Sequence, residues 1–359
     1  MSDQTSPFIP GRELSRRFHV DVVAPILARR CPGLPYTAAL IGAGSEVMGF
    51  DTEMSTDHNW GPRLQILLAA TDLDQRSMVD GALHQELPPS FMGFPVFVPT
   101  PDGMSTRHLV QVDATTAFMR STLGFPIDEP ISAGQWLSVS SQRLLSVASA
   151  TIYRDDLDLQ AQIGRIEWYP RDVWLYLLAS AWTRVGQEEH LVGRAGYVGD
   201  ELGARVIASR LVRDMMRIGF LLERKYAPYP KWFGTAFRRL DAGERLLPLL
   251  EAVLNATDWQ DRDRRLVSAY EAVADLQNLS GLVESAPAEA VWFHDRPFHV
   301  IEFGAGFATR LLGAIADREV KRIAQARPIG NLDLFSDSTD LAEDLDRQKA
   351  LLDLFSVDD

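Results

Sequence analysis

The stretch GAGSEVMGFDTEMSTDHNWGPRLQILL, residues 42–68, decides the fold that the sequence predicts. Just before it, residues 37–42 form a short apolar run, which predicts a strand that enters a glycine-rich turn. If a helix begins after this turn, the backbone N–H groups and hydroxyl of Gly44 and Ser45 form a cradle for phosphate. Residues 59–68 then predict a second strand. The stretch therefore has the layout of a nucleotide site between two strands.

Two polar residues stand two positions apart where the second strand is predicted to begin. Asp57 and Asn59 would point to the same face of a strand, about 7 Å apart along the chain. This spacing suits Mg²⁺ bound against a triphosphate. Asn59 stands where a second carboxylate is expected, and its amide offers a carbonyl oxygen to the ion without a negative charge.

Three other glycine motifs fit this stretch less well. A dinucleotide-binding turn needs a third glycine where Val47 stands, and no acidic strand end follows within a strand–helix–strand unit. A Walker loop needs a lysine after the glycines. A nucleophile elbow needs a glycine two places before Ser45, where Ala43 stands.

Composition limits the class of protein. A chain of 359 residues favours two domains over one. Its single cysteine, Cys31, excludes a disulfide framework and a cysteine-rich zinc site, and it indicates a cytoplasmic location. A net charge of −13 argues against general nucleic-acid binding. The longest apolar stretch is too short for a membrane span, so no membrane association is predicted.

The pattern of residues divides the chain into three segments. Residues 1–150 mix strand-like runs with helices, including an amphipathic helix over residues 11–30. Residues 151–330 carry long stretches with a period of 3.6 residues, which predict a mainly helical domain. Residues 331–359 hold nine acidic and two basic residues, which predicts a solvated helix or frayed end, with a docking segment as the alternative. The predicted fold class is α+β, a mixed-sheet domain followed by a mainly α-helical domain.

Two long motifs carry a resemblance to known proteins. Residues 44–63, GSEVMGFDTEMSTDHNWGPR, resemble the signature of the polymerase-β-like nucleotidyltransferase superfamily. Together with RLVRDMMRIGFLLERKYAPYPKWFGTAF, residues 210–237, they look like the bacterial DUF4037 family. That family is placed among nucleotidyltransferase-like proteins, similar in layout to kanamycin-type nucleotidyltransferases. The resemblance covers most of residues 10–320.

The resemblance implies both a fold and an activity. The first domain would have the nucleotidyltransferase fold and transfer a nucleoside monophosphate from ATP or another nucleoside triphosphate to a hydroxyl of a small molecule, with Mg²⁺ as cofactor. It implies phosphate binding by Gly44 and Ser45. It implies metal binding and catalysis by Asp57, with Asn59 in the position of the second metal-binding carboxylate.

Four further residues are candidates for the predicted site. The resemblance implies a third carboxylate on a neighbouring strand, which helps to deprotonate the acceptor, and Asp113 is the catalytic candidate; it is equally suited to cap the next helix. Asp51 is a second candidate for this carboxylate. Lys231 would reach the nucleotide phosphates as a compact charge, with an ordinary helix-start lysine as the alternative. Arg63 is a further nucleotide-binding candidate, with surface ion pairing as the alternative.

The residues leave three functions open. The first is the small-molecule nucleotidyltransferase described above. The second is a non-catalytic nucleotide- or ligand-binding relative in which Asn59 marks a lost metal ligand. The third is a nucleotidyltransferase that modifies another protein, recruited by the acidic tail. The predicted partners are a nucleotide and an unidentified small-molecule acceptor, and a homodimer is compatible with the sequence.

Overall fold

The computed structural model describes residues 8–57, 60–100, 102–326 and 328–356. These residues form two compact units. The first unit takes the described residues up to Ile131 together with residues 142–167. The second takes residues 132–141 and the described residues from Trp168 onward. A small mixed sheet and many helices confirm the coarse prediction of a mixed α/β chain.

The strands are short, and the longest of them belong to the first unit. In chain order they are β1 (Thr37–Leu40), β2 (Leu64–Leu68), β3 (Ser90–Phe91), β4 (Phe94–Pro95), β5 (Phe97–Pro99), β6 (Thr106–His108), β7 (Val110–Ala114), β8 (Thr151–Asp155), β9 (Val291–Trp292) and β10 (His299–Val300). The main sheet has the order β7-β2-β1-β8, and β3-β4, β5-β6 and β9-β10 are two-stranded pairs. The central strands β1 and β2 are buried throughout, as expected where both faces of a sheet are covered.

Strand register decides which residues share an end of the main sheet. β1 runs antiparallel to β2, so Ala39 pairs with Gln65 and Thr37 with Leu67. β7 runs parallel to β2, and its Asp113 is the partner of Leu67. The end of β1 that enters the glycine turn therefore lies beside the beginning of β2 and of β7. Asp113 lies toward the opposite end.

The helices dominate the chain. In chain order they are α1 (Gly11–Phe18), α2 (Ala24–Arg30), α3 (Arg76–Glu86), α4 (Thr115–Leu123), α5 (Ala133–Ser138), α6 (Ser141–Ala148), α7 (Leu159–Gly164), α8 (Arg171–Tyr197), α9 (Glu201–Leu222), α10 (Pro230–Phe237), α11 (Asp241–Leu254), α12 (Trp259–Leu279), α13 (Glu302–Ala305), α14 (Phe307–Gly313), α15 (Arg318–Gln325), α16 (Leu332–Phe335), α17 (Thr339–Glu343) and α18 (Leu345–Leu351). A π-helical turn, His19–Val23, joins α1 to α2. The helix predicted over residues 11–30 is confirmed with this one distortion.

The hydrophobic core of the first unit lies on one face of its main sheet. Leu64, Ile66 and Leu68 of β2 alternate along the strand with a period of two and point into this core, as do Val110 and Val112 of β7. Helices α1, α2 and α3 cover them with Phe18, Ile26, Leu27, Val79 and Leu83. The Gln65 side chain projects to the other face of the sheet, where it can form a hydrogen bond beside the glycine turn.

The second unit is built around the helical hairpin of α8 and α9. Three residues connect these helices, and the last of them, Asp200, is the N-cap of α9. Its side chain accepts a hydrogen bond from the backbone N–H of Gly203 at 2.8 Å, which satisfies a donor in the first turn. The prediction that the chain becomes mainly helical after residue 170 is confirmed.

The acidic C-terminal segment packs against the second unit. Leu332 and Leu334 are buried, and the carbonyl of Leu334 accepts a hydrogen bond from Arg184 Nη1 at 2.7 Å. Asp337 pairs with Arg213 Nη1 at 2.6 Å. The beginning of the segment is therefore packed, as the docking alternative expects. From Asp337 to Leu354 most described residues are exposed or half-buried and include the helices α17 and α18, as a solvated helix would be.

A half-buried glutamate of the second unit hydrogen-bonds to the beginning of a helix. The Glu302 carboxylate accepts hydrogen bonds from the backbone N–H groups of Phe307, at 3.0 Å, and Ala308, at 2.9 Å, and so serves the first turn of α14. Burial raises the pKa of Glu302 to about 7. The two N–H donors oppose this rise in pKa, whereas the neighbouring Glu189 carboxylate adds to it.

We expect Glu302 to make stability depend on pH. Its pKa in the folded protein is raised from 4.5 to about 7, so its contribution is fully present below 4.5 and is lost as pH rises through about 7. Glu302→Gln keeps an acceptor but does not titrate. The free energy of unfolding of the native protein, measured with denaturant at a series of pH values, should therefore fall by on the order of 2 kcal/mol more than that of Glu302→Gln. Glu244→Gln, at an exposed position of α11, is the control; parallel curves for all three proteins would contradict the prediction.

Candidate nucleotide site

The glycine turn begins where β1 ends. The side-chain oxygen of Gln65 accepts the N–H of Ile41 at 3.1 Å and so holds the end of β1. Gly42, with φ +95°, and Gly44, with φ +137°, then adopt backbone conformations that favour glycine. The helix predicted to follow Ser45 does not form. The chain turns back instead, with a hydrogen bond from Phe50 N–H to the Ser45 carbonyl at 2.9 Å.

A buried ion pair that the sequence analysis missed supports this turn. Glu46 is 1% exposed, and its Oε1 accepts a hydrogen bond from Arg63 Nε at 2.7 Å. Arg63 Nη2 also donates to Glu46 and to the carbonyl of Ala43. A Cβ on Gly44 would lie 2.2 Å from Arg63 Nη2, so the guanidinium packs directly against the glycine. Arg63 therefore holds the turn in shape, and much of its charge is offset by Glu46. In the sequence, the signal for this pair was a glutamate inside a glycine turn. Local sequence patterns do not identify the residue that pairs with such a glutamate.

The turn presents hydrogen-bond donors that the protein itself does not use. Within the described residues, no acceptor is hydrogen-bonded to the backbone N–H groups of Gly44 or Ser45. The Ser45 hydroxyl likewise has no partner there, and Ser45 is 9% exposed. Successive N–H groups in a turn that includes left-handed residues form a concave site for anions. The arrangement can therefore bind an oxyanion.

The predicted metal ligands lie in the loop between the glycine turn and β2. Asp57 ends a 3-10 helix, Glu53–Asp57, and β2 begins only at Leu64. The prediction that the strand starts at residue 59 is therefore wrong. Gly61, with φ +150°, and Pro62, which lacks an N–H, interrupt an extended strand at this point. Asn59 and His58 lie outside the described residues.

The structure does not bring the predicted third carboxylate to the glycine turn. Asp113 lies beside Leu67 and, across β2, Thr37. Thr37 and Gly42 are five positions apart, which corresponds to about 17 Å along a strand. The Asp113 carboxylate accepts the N–H of Ala114 at 2.9 Å, and the N-cap of α4 is Ala114, without a side-chain cap.

Asp51, the alternative carboxylate, has a structural role. Its Oδ2 accepts the backbone N–H of Gly11 at 2.7 Å and the indole N–H of Trp60 at 3.3 Å. These hydrogen bonds tie the beginning of α1 to the loop that leads into β2.

Lys231 belongs to the second unit. It follows Pro230, which occupies the first position of α10, a position that suits proline. Its side chain is exposed, and Nζ lies 4.9 Å from the centroid of the Trp232 ring. The predicted start of a helix after the prolines is confirmed, and the role of Lys231 in phosphate binding stays a prediction.

A polar cleft of about 620 Å³ lies in the first unit. It runs between α3, the β5-β6 pair and the edge strand β7, and it reaches Trp60 and Gln65. Its charged or titratable lining residues are Arg63, Arg76, Asp80, His84, Arg107 and His108.

Two absences among the described residues concern metal clusters and membrane spans. Over the described ranges, no group of three or more His, Cys, Asp or Glu residues could hold a metal ion. None of the helices described is long and apolar enough to cross a membrane.

The middle of the chain matches a known family. The family model described as "Domain of unknown function (DUF4037)" matches residues 136–233. The matched segment runs from α5 into α10, so it includes Lys231 and lies beyond the glycine turn. No curated protein and no solved structure matches the chain. The predicted resemblance to DUF4037 is confirmed over these residues.

Proposed function

We propose that the chain is a nucleotidyltransferase that moves a nucleoside monophosphate from a nucleoside triphosphate to a hydroxyl of a small molecule. The observation that carries this proposal is the turn after β1. There the N–H groups of Gly44 and Ser45 and the Ser45 hydroxyl have no acceptor among the described residues. Successive N–H groups that are not used within the protein form a concave site that suits phosphate oxygens.

Each residue of the site has a defined part in the proposal. Gly44 and Ser45 donate hydrogen bonds to phosphate oxygens. Arg63, paired with Glu46, holds the turn rather than supplying net charge. Lys231 supplies a compact positive charge for the phosphates, and the prolines before it set the start of α10.

The proposal includes Mg²⁺. Asp57, Asn59 and the phosphates would hold the ion, because carboxylate, amide and phosphate oxygens are the donors that hard cations prefer. When bound, it neutralises charge on the triphosphate. In the reaction the acceptor oxygen attacks the α-phosphorus in line and forms the new P–O bond, the bond from the α-phosphorus to the bridging oxygen breaks, pyrophosphate leaves, and the hydroxyl proton passes to solvent.

One observation favours a second candidate, a nucleotide-binding protein without transferase activity. Asp113, the predicted third carboxylate, lies about 17 Å along the sheet from the glycine turn. Asp51, the alternative, is engaged with Gly11 and Trp60. Neither carboxylate is therefore placed in the described structure to accept a proton beside Ser45.

Mass spectrometry separates these two candidates. The protein is incubated with mixed nucleotides, Mg²⁺ and a metabolite extract, and products are searched for the mass of an added nucleoside monophosphate. Ser45→Ala should abolish such a product, and Ser77→Ala, at an exposed position of α3, should not. Nucleotide binding by calorimetry without any mass-shifted product would favour the binding protein.

We expect Asn59→Asp to strengthen Mg²⁺-dependent nucleotide binding and to raise any transferase activity. The added carboxylate supplies the negative charge that an amide lacks. Asp57→Asn should abolish both. Without metal, the second carboxylate should slightly lower the melting temperature through like-charge repulsion, and Mg²⁺ with nucleotide should restore it. A loss of stability with and without metal, and no gain in binding, would instead indicate that Asn59 has a hydrogen-bonding role.

We expect Lys231→Ala to weaken triphosphate binding much more than nucleoside binding. A charge-assisted contact contributes roughly 1.5–3 kcal/mol, or about ten- to a hundredfold in affinity. Calorimetry with ATP and with adenosine measures the two effects, and Lys321→Ala, another exposed lysine of the second unit, is the control. Equal losses of affinity for ATP and for adenosine would show that Lys231 does not contact the phosphates.

A further inference from the structure

The cleft of the first unit concentrates positive charge in an otherwise acidic protein. The chain has a net charge of −13, yet three arginines and two histidines line this cleft. Among the described lining residues, Asp80 is the one carboxylate. Among these lining residues, three guanidinium groups stand against one carboxylate, and such a local excess of positive charge attracts anions.

The three arginines of the cleft differ in how strongly they are paired with carboxylates of the protein. Arg63 is paired with the buried carboxylate of Glu46. Arg76 Nη1 lies 3.9 Å from Asp113 Oδ1, and the Arg76 side chain is 53% exposed, so this pair is weak. Arg107 is exposed, and in the part of the chain that the structure describes it pairs with no carboxylate. Arg107 and Arg76 are therefore available to a ligand.

Two elements arrange these groups around the cleft. Arg76, Asp80 and His84 occur at intervals of four, which places them on one face of α3. Arg107 and His108 come from β6, and His108 Nε2 lies 3.3 Å from Asp80 Oδ1. The other ring nitrogen of His108 is buried without a hydrogen-bond partner among the described residues. Arg76 and His84 are eight positions apart, which corresponds to about 12 Å along a helix and is longer than an isolated phosphate ion.

We propose that this cleft binds a small organic anion, a carboxylic acid or a phosphate ester, through Arg107, Arg76 and His84. An anion is favoured over a cation because Asp80, the carboxylate of the lining, already lies beside His108. Guanidinium groups hold carboxylate and phosphate oxygens in bidentate geometry. The cleft borders the glycine turn at Arg63, but its proposed ligand groups are residues other than Gly44 and Ser45, and the proposal does not depend on transferase activity.

Calorimetry of the full chain with succinate and with inorganic phosphate tests the proposal, and the tighter of the two probes indicates which acidic group the cleft prefers. Arg107→Ala should weaken binding about tenfold or more, because a charge-assisted hydrogen bond is lost. Arg120→Ala, an exposed arginine of α4 outside the cleft lining, should leave it unchanged. Asp80→Asn should tighten binding severalfold, because the opposing charge is removed.

Three outcomes would overturn the proposal. The first is binding of the cation spermidine in place of either anion. The second is equal affinity for the anions in Arg107→Ala and Arg120→Ala. The third is loss of anion binding in Ser45→Ala with binding retained in Arg107→Ala, which would place the anion at the glycine turn. Thermal unfolding of Arg107→Ala should match that of the native protein, since this side chain is exposed. Failure of nucleotide binding in the native protein would contradict the proposed transferase function. It would not contradict the proposed anion site.

Discussion

Gly44→Val is expected to lower the free energy of unfolding of the first unit by on the order of 4 kcal/mol. Gly44 has φ +137°, a conformation that a β-branched residue adopts only under strain. The added Cβ would also lie 2.2 Å from Arg63 Nη2 and 2.6 Å from each carboxylate oxygen of Glu46. These atoms belong to the ion pair that supports the turn, so the substitution strains the backbone and breaks a buried pair together.

Gly33→Val separates backbone strain from the loss of the ion pair. Gly33 has φ +81°, and a Cβ there would meet no atom within 4 Å. Denaturant unfolding should therefore show a smaller loss for Gly33→Val than for Gly44→Val. Equal losses would show that the Arg63–Glu46 pair does not support the turn. Gly44→Val is for this reason a poor test of nucleotide binding, and Ser45→Ala is the cleaner substitution.

Asp214→Ala is expected to destabilise the second unit by about 3–5 kcal/mol, the range for removing one partner of a buried ion pair. Asp214 is fully buried, and its Oδ2 accepts a hydrogen bond from Arg184 Nε at 2.8 Å. Arg217 Nη1 lies 3.5 Å from Oδ1. Burial lowers the pKa of Arg217, and the neighbouring Arg213 lowers it further. Without Asp214, the charges of these arginines would lack their buried counterion.

Asp275→Ala is the matched control for this prediction. Asp275 pairs with Arg245 at 2.6 Å, but both side chains are more than 40% exposed, so its loss should cost about 1 kcal/mol or less. Arg184 also donates to the carbonyl of Leu334, so Asp214→Ala should make the C-terminal segment more sensitive to limited proteolysis. Equal and small losses for the two variants in denaturant unfolding would contradict the prediction.

Much of the fold could be predicted because its elements have strong local patterns. The mostly apolar TAAL predicted β1, and LQILL predicted β2, although the strand was expected to begin at residue 59. The 3.6-residue period predicted the helix over residues 11–30 and the long helices after residue 170. The glycines after β1 predicted a turn there, and the structure has one, with positive φ at Gly42 and Gly44.

The details of the site were less predictable because they depend on residues that are distant in sequence. The spacing of Asp57 and Asn59 suggested a strand, but Gly61 and Pro62 delay β2 until Leu64. Asp113 follows an apolar strand-like run, as a third carboxylate would. Local sequence patterns do not predict which residue of β2 lies beside Asp113. The parallel register pairs Asp113 with Leu67 and so places it away from the glycine turn.

The sequence by itself determined the presence of a glycine turn after a buried strand, the helical character of the second half and the match to DUF4037. These follow from side-chain periodicity and backbone preference, which act between neighbouring residues. Only the tertiary structure decided that Glu46 is paired with Arg63, that the acidic segment after residue 331 packs on α8 and α9 through Arg184 and Arg213, and that α3 and β6 line one cationic cleft. An ion pair or a cleft depends on which surfaces the folded chain brings together. The free energy that stabilises this arrangement is shared among many contacts between residues distant in sequence.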